Sequence, residues 1–169
     1  LKAFERNAMR IFQLWLVLNS CVFMSFYFLT FLLLKYSRLQ SALICTLATA
    51  VSIVFEICRI YFAFESLWPK IYVTIANILV LQVTAFLISE QKNSYTLFIG
   101  FSSSNFVLTG NISSCAVLLV SKNYITAMAV CTIINAACFI CMYFTIRDIC
   151  ANVLSKEISI WMCLIPAMC

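Results

Sequence analysis

Five long apolar runs, separated by short polar segments, dominate the pattern of hydrophobic and polar positions along the chain. They cover residues 11–34, 41–64, 71–89, 96–120 and 124–146. A shorter apolar stretch follows at 158–169. About 20 apolar residues are enough for a helix to cross the hydrocarbon core of a bilayer. The pattern predicts an all-α polytopic transmembrane helical bundle, with five spans and the start of a sixth, in a single domain over 1–169.

The fourth run differs from the others because small polar residues crowd its middle. They are Ser102, Ser103, Ser104, Asn105, Thr109, Gly110, Asn111, Ser113 and Ser114. At about 100° per residue they cover most of the helix circumference and leave a narrow apolar strip. The strip lies near Phe101, Leu108, Ile112 and Cys115. Unpaired polar groups are costly in hydrocarbon, so we expect the polar side to face other helices, a wet cavity or an unwound turn at 109–111.

Three interpretations of the fourth run stay open at this point. Small residues let helices approach, and Ser, Thr and Asn can bond between them, so the run could serve packing alone. It could instead line a ligand site, or form an interrupted or re-entrant segment. For a signal-sensing or interhelical polar core we predict Ser102, Ser104, Asn105, Thr109 and Asn111, with the two asparagines at its centre.

The second run contains an acid and a base, Glu56 and Arg59, three positions apart. Residues at this spacing share a helix face and can form an ion pair. An ionisable pair inside a membrane segment is a hypothesis for a functional site. The alternative is that Arg59, close to the end of the run, extends to the lipid headgroups.

Other polar residues predict contacts between helices. In the third run Thr74, Asn77 and Thr84 form one stripe, which we expect to face the bundle interior and the fourth run. In the fifth run Thr132 and Asn135 are candidates for an interhelical bond. The turns are short: 65–70 contains a helix-breaking proline, and 121–123 predicts a tight helical hairpin between the last two complete spans.

The composition agrees with a membrane protein and excludes several functions. Hydrophobic residues make up 64% of the chain, charged residues 10%, and the mean hydropathy is +1.05. The net charge of +5 comes mainly from residues beside the apolar runs, which suits a lipid bilayer rather than a nucleic acid partner. Basic residues divide almost evenly between the two sides, and the N-terminal cluster favours a cytoplasmic N-terminus.

The chain has no histidine, so histidine-ligated haem, most zinc chemistry and histidine acid–base catalysis are excluded. We predict no catalytic residue, no metal and no cofactor. The ten cysteines fall mostly in apolar runs, where cysteine acts as a small buried hydrophobe. Cys138 and Cys141 have C-x-x-C spacing, but they lie mid-run without a second pair, so we assign them to packing.

Two stretches carry a family resemblance. LFIGFSSSNFVLTGN at 97–111 is similar to a segment of bacterial sensor histidine kinases of the GHKL type. WMCLIPAM at 161–168 resembles the tryptophan and Leu-Ile-Pro that open the next membrane helix in that family. The spacing between the stretches also fits, and the resemblance covers about 90–169. The first ninety residues match only as generic membrane helices.

The resemblance implies the transmembrane signal-sensing module of a two-component system in a bacterial cytoplasmic membrane. The parent protein would be a histidine kinase and a homodimer, with its kinase domains after Cys169. This chain contains neither the phosphoacceptor histidine nor a Gly-rich nucleotide loop, so it cannot autophosphorylate. The first residue is Leu, which also suggests a fragment.

Two other functions are open. A small transporter or channel subunit would use the polar face of the fourth run as a solute path, although the chain has only two glycines and two prolines. A structural accessory subunit of a membrane complex would need little beyond hydrophobic helices.

Overall fold

The computed structural model describes residues 2–62, 67–90 and 94–153, and the side chains of 5–62, 67–90 and 95–144. These residues form five helices: α1 (Lys2–Phe31), α2 (Arg38–Phe62), α3 (Leu67–Ile88), α4 (Ser94–Ser121) and α5 (Tyr124–Val153). The predicted all-α helical bundle is confirmed. The predicted start of a sixth span, 158–169, lies outside the described residues.

All five helices are long and apolar enough to cross a membrane. Many of their large apolar side chains point outward, as at Leu39, Leu47, Phe62, Leu119 and Val120. Several fully buried side chains are polar: Ser41, Ser52, Ser103, Ser114 and Asn135. An apolar outer surface around a partly polar interior indicates an integral membrane protein.

Helix α1 is the centre of the bundle, because it contacts each of the other four helices. Its C-terminal half packs an aromatic cluster against α4 and α5. The Tyr27 ring stacks on Phe106 at 6.1 Å and meets Phe139 edge-on at 5.2 Å between centroids. Phe31 contacts Phe139 in the same way at 6.2 Å. Such ring pairs favour one arrangement of the three helices.

Four of the five helices begin earlier than the hydropathy pattern predicts, and the difference is largest for α1 and α3. Helix α1 starts at Lys2 rather than at residue 11, because its first polar turns continue the helix beyond the apolar run. Helix α3 starts at Leu67 rather than at residue 71. Pro69 therefore lies in the first turn of α3, where a missing N–H removes no helical hydrogen bond.

Side chains cap two of the helix ends. Ser37 and Gln40 form a capping box at the start of α2: the Gln40 N–H donates to Ser37 Oγ, and the Ser37 N–H donates to Gln40 Oε1. The predicted hairpin between α4 and α5 is present. Lys122 takes the left-handed conformation there, with φ of 53°, and Asn123 Oδ1 accepts from the Ile125 N–H at 3.0 Å.

One end of the bundle is tied together by backbone contacts, and we call it the closed end. The segment after α1 pairs with the end of α3: Lys35 N–H donates to Ile88 O, and Glu90 N–H donates to Leu33 O, both at 2.8 Å. Tyr95, at the start of α4, donates its hydroxyl to Phe31 O at 2.7 Å. Three helices are therefore held at fixed positions at the closed end.

Candidate functional site: a cavity among the first four helices

A cavity of about 460 Å³ lies among the first four helices, within the usual range of about 300–1,000 Å³ for ligand pockets. The described side chains that line it come from α1, α2, α3 and α4. Gln13, Glu56, Arg59 and Lys70 form what we call its charged end. Met24, Leu81 and Phe101 form its apolar end.

The cavity lies where α3 is not buried against the bundle, because only the C-terminal part of α3 packs closely. All of its buried residues lie between Leu81 and Ile88. There, Gly100 of α4 lets the Gln82 side chain approach so closely that a Cβ at position 100 would lie 2.1 Å from Gln82 Oε1. The Ser89 and Thr96 hydroxyls hydrogen-bond at 2.9 Å nearby. Towards Lys70 the residues of α3 are no longer buried, and the cavity occupies the space between α3 and its neighbours.

Glu56 and Arg59 form a buried ion pair at the charged end. Arg59 Nε donates to Glu56 Oε2 at 3.0 Å, and Arg59 Nη2 donates to Glu56 Oε1. The same Nη2 donates to Gln13 Oε1 of α1 at 2.9 Å. Arg59 is only 6% exposed, so it binds across the bundle rather than extending to the headgroups. The pair links α2 to the central helix.

Two buried polar atoms of the lining have no hydrogen-bond partner among the described residues: Arg59 Nη1 and Asn77 Oδ1. A buried donor or acceptor without a partner costs about 1–3 kcal/mol. Lys70 adds a second cation to the same lining, and the described side chains include no ion pair to it. The cavity therefore offers unused donors and positive charge at one end, and apolar surface at the other.

The predicted polar core on α4 divides into three environments. Ser102 is buried. Ser104 and Asn105 line the cavity, and the Ser104 hydroxyl donates to the Gly100 carbonyl of its own helix at 2.8 Å. Thr109 lies on the exposed face, where its hydroxyl donates to Asn105 O at 2.9 Å. Thr109 therefore lies outside the buried polar face.

Asn111 lies between the cavity and the last described helix. Its side chain lines the cavity, and Nδ2 donates to Ser20 Oγ of α1 at 2.9 Å. Its Oδ1 accepts from the Cys131 thiol of α5 at 3.4 Å. Cys131 Sγ also accepts from Asn19 at 3.3 Å and from Asn135 at 3.5 Å. We call these five side chains, from Asn19, Ser20, Asn111, Cys131 and Asn135, the polar node.

Helix α4 is continuous through 109–111, so these residues form helix rather than an unwound turn or an interruption. Gly110 brings α4 and α5 together: a Cβ there would lie 2.2 Å from Asn135 Oδ1. The apolar strip at Phe101, Leu108, Ile112 and Cys115 is exposed. The polar face of α4 accordingly faces neighbouring helices and the cavity.

The stripes on the third and fifth runs are partly as expected. On α3, Asn77 and Thr74 line the cavity opposite α4, and Thr84 is buried. On α5, Asn135 is buried in the polar node. The expectation for Thr132 is wrong: it is exposed, and its hydroxyl donates to the Met128 carbonyl of its own helix at 3.1 Å. A threonine can satisfy its hydroxyl within one helix, so it does not need a partner helix.

Sequence reasoning missed several residues of the site, including Asn19 and Ser20 of the polar node. Gln13 binds Arg59, Lys70 lines the charged end, and Cys131 holds the polar node together. Gln13 was visible as a polar residue inside an apolar run, but its partner was not. Cys131 gave no signal, because cysteine is common in apolar helices. Cys138 and Cys141 are free thiols, half-buried and exposed.

No family model, no curated protein and no solved structure matches this chain.

Proposed function

We propose that this chain is a membrane-embedded sensing module that binds its signal in the cavity among the first four helices. In line with the resemblance at 97–111, the module would belong to a two-component histidine kinase of the bacterial cytoplasmic membrane, acting as a homodimer. The kinase domains would lie on the polypeptide after Cys169.

The observation that carries this proposal is the position of Asn111. It lines the cavity on one side and hydrogen-bonds Ser20 and Cys131 on the other. The cavity lining comes from α1 to α4, so Asn111 is a direct connection from the cavity to α5. A ligand that moves α4 must therefore break or reshape bonds to the helix that leads towards the C-terminus.

A sensor needs two arrangements of its helices that a ligand can distinguish. Helix α3 offers a movable element, because it is held at the closed end and has no buried residue before Leu81. A ligand between α3 and α4 would fix the separation of their other ends. Weak hydrogen bonds in the polar node, several of them to sulfur, would allow repacking at low energetic cost.

The geometry supports a sensor over a solute path. The cavity extends from the charged end towards the closed end, where Gln82 packs on Gly100 and Ser89 bonds Thr96. Close packing at the closed end favours holding a ligand in the cavity over conducting one through a single copy. A structural accessory subunit would give no reason for an unpartnered arginine nitrogen in a cavity of this size.

The test uses the natural polypeptide that contains this chain, in membranes of its own cell. Its mass is measured first, and radiolabelled ATP then reports autophosphorylation. We expect a polypeptide much heavier than 19.2 kDa that phosphorylates itself. Asn111→Leu should lock its activity high or low, whereas Thr109→Val, on the exposed face of the same helix, should respond like wild type.

Two results would contradict the proposal. A natural product near 19.2 kDa would mean that no kinase domain is covalently attached to this chain. If Asn111→Leu signals like wild type, the polar node does not connect the cavity to α5, whatever the mass of the natural product.

A further inference from the structure

We infer that the ligand of this cavity is an anionic amphiphile, with a carboxylate-like head at Arg59 and Lys70 and one extended apolar chain. This inference rests on the proposed function and specifies the chemistry of the signal.

The hydrogen bonds of Arg59 indicate the chemistry of the head group. Its Nε and Nη2 donate to Glu56 and Gln13, but Nη1 is buried and has no partner. A guanidinium has five donors in a planar fork and accepts no hydrogen bond, so only an acceptor can satisfy Nη1. A carboxylate oxygen is the stronger choice, because charge-assisted hydrogen bonds are about twice as strong as neutral ones.

The charge balance favours a single negative charge. Among the described lining residues, Arg59 and Lys70 are basic and Glu56 is acidic, so the lining carries one net positive charge. Both Glu56 oxygens already accept from Arg59. A monoanionic head would neutralise the remaining charge, whereas an ammonium head would be repelled by Lys70 and would compete with Arg59 for the Glu56 carboxylate.

The length and walls of the cavity indicate that the ligand has one extended apolar chain. The lining runs along α3 from Lys70 to Leu81, a rise of about 16 Å at 1.5 Å per residue. This is close to half of the roughly 30 Å hydrocarbon core, the depth that one leaflet of acyl chains fills. Leu16, Val17, Met24, Leu81 and Phe101 give this length apolar walls. Asn77 Oδ1 lies part way along and can accept from a hydroxyl or amide on the ligand.

The position of the charged end also fits an amphiphile. Arg59 lies three residues before the end of α2, and Lys70 lies three residues after the start of α3. Helix ends lie near the headgroups, so the head would stay at interfacial depth while the chain lies parallel to the helices. Ile78 and Leu108 line the cavity and are each partly exposed, so a lipid-like ligand can enter sideways between α3 and α4.

The experiment compares three probes that share one chain and differ in head charge: laurate, dodecanol and dodecylamine. Binding to the full natural polypeptide in nanodiscs is measured by displacement of a fluorescent fatty acid. We expect laurate to bind at least tenfold more tightly than dodecanol, and dodecylamine to bind most weakly. Equal affinities for the three probes, or no binding of laurate, would overturn the inference.

A substitution of Lys70 distinguishes a specific contact with the head group from a general effect of positive charge. Lys70→Gln should weaken laurate binding about tenfold and leave dodecanol binding unchanged, because one charge-assisted contact is lost. Lys122→Gln is the matched control: it removes a cation from the exposed α4–α5 turn, outside the cavity, and should bind laurate like wild type. If both variants weaken laurate equally, surface charge explains the preference and the inference fails.

The two proposals fail separately. If laurate binds with the expected head preference but does not change autophosphorylation, the ligand class stands and the sensing function falls. If no laurate binds and Asn111→Leu still alters signalling, the sensing function stands and the ligand class falls.

Discussion

Asn111 Oδ1 lies 3.4 Å from Cys131 Sγ, and this contact joins the wall of the cavity to α5. The thiol in turn accepts from the side-chain amides of Asn19 and Asn135. Sulfur is a weak donor and a weak acceptor, so the three helices meet at a point where the hydrogen bonds through Cys131 are weak.

The Cys131 thiol can be tested by two substitutions. Cys131→Ser keeps a donor and an acceptor and should change the free energy of unfolding by less than about 1 kcal/mol. Cys131→Val leaves buried amide groups without a partner and should destabilise by about 1–3 kcal/mol. Unfolding by sodium dodecyl sulfate in mixed micelles measures both. Cys115→Val, at an exposed thiol on α4, is the control and should match wild type. If the two Cys131 variants are equally stable, the hydrogen bonds of this thiol do not contribute to stability.

The Glu56–Arg59 pair predicts a strong asymmetry between single and double substitutions. Glu56→Gln leaves a buried guanidinium without its counter-ion and should cost about 3–5 kcal/mol. Replacing both residues, as Glu56→Gln with Arg59→Met, removes the charges together and should recover most of that loss. The same unfolding assay measures the cycle. Additive losses would mean that the two side chains do not interact.

An added methyl group should lower the stability of the protein more at Gly110 than at Gly100. At Gly110 the Cβ meets Asn135, a short side chain that is 1% exposed and bonded to Cys131. Gly110→Ala should therefore destabilise by about 1–3 kcal/mol. At Gly100 the Cβ meets the end of the longer Gln82 side chain, which can rotate away, so Gly100→Ala should cost less. Adding Asn135→Ser to Gly110→Ala should restore stability, and no recovery would place the strain elsewhere.

Replacing Lys122 in the α4–α5 turn with glycine should stabilise the protein. A non-glycine residue in the left-handed region costs about 1–2 kcal/mol relative to its preferred conformation, and φ at Lys122 is 53°. Lys122→Gly should therefore raise the free energy of unfolding by about 1 kcal/mol. Asn123→Ala, which removes the cap on α5, should lower it by a similar amount. A Lys122→Gly variant less stable than wild type would contradict the first part.

The hydropathy pattern was sufficient for the architecture because a bilayer sets the length of each helix. It could not find the start of α1 at Lys2, since the helix continues into the polar segment where the apolar pattern stops. The periodicity of α4 identified its polar side, but it could not assign each residue to a partner. Thr109 and Asn111 are both polar, yet Thr109 bonds its own helix and Asn111 bonds two others.

The cavity itself was beyond sequence reasoning. It depends on α3 being buried from Leu81 onward, with Gln82 against Gly100 of α4, while the residues before Leu81 are not buried. That arrangement is set by contacts between helices, and no local pattern in 67–88 encodes it. The Glu56–Arg59 pair was visible from its spacing, whereas its third partner, Gln13, lies 46 residues from Arg59 along the chain.

The central position of α1 has a consequence for how the protein is made. This helix leaves the ribosome before the helices that satisfy its polar side chains, and the Cys131 partner of Asn19 follows 112 residues later. At about 5–20 residues per second, that partner is synthesised on the order of ten seconds after Asn19. Gln13 meets its partner Arg59 sooner, 46 residues later, and Ser20 donates to the Leu16 carbonyl of its own helix. The Asn19 amide, in contrast, faces lipid, water or the insertion machinery until Cys131 is made, so α1 completes its packing only after α5 arrives.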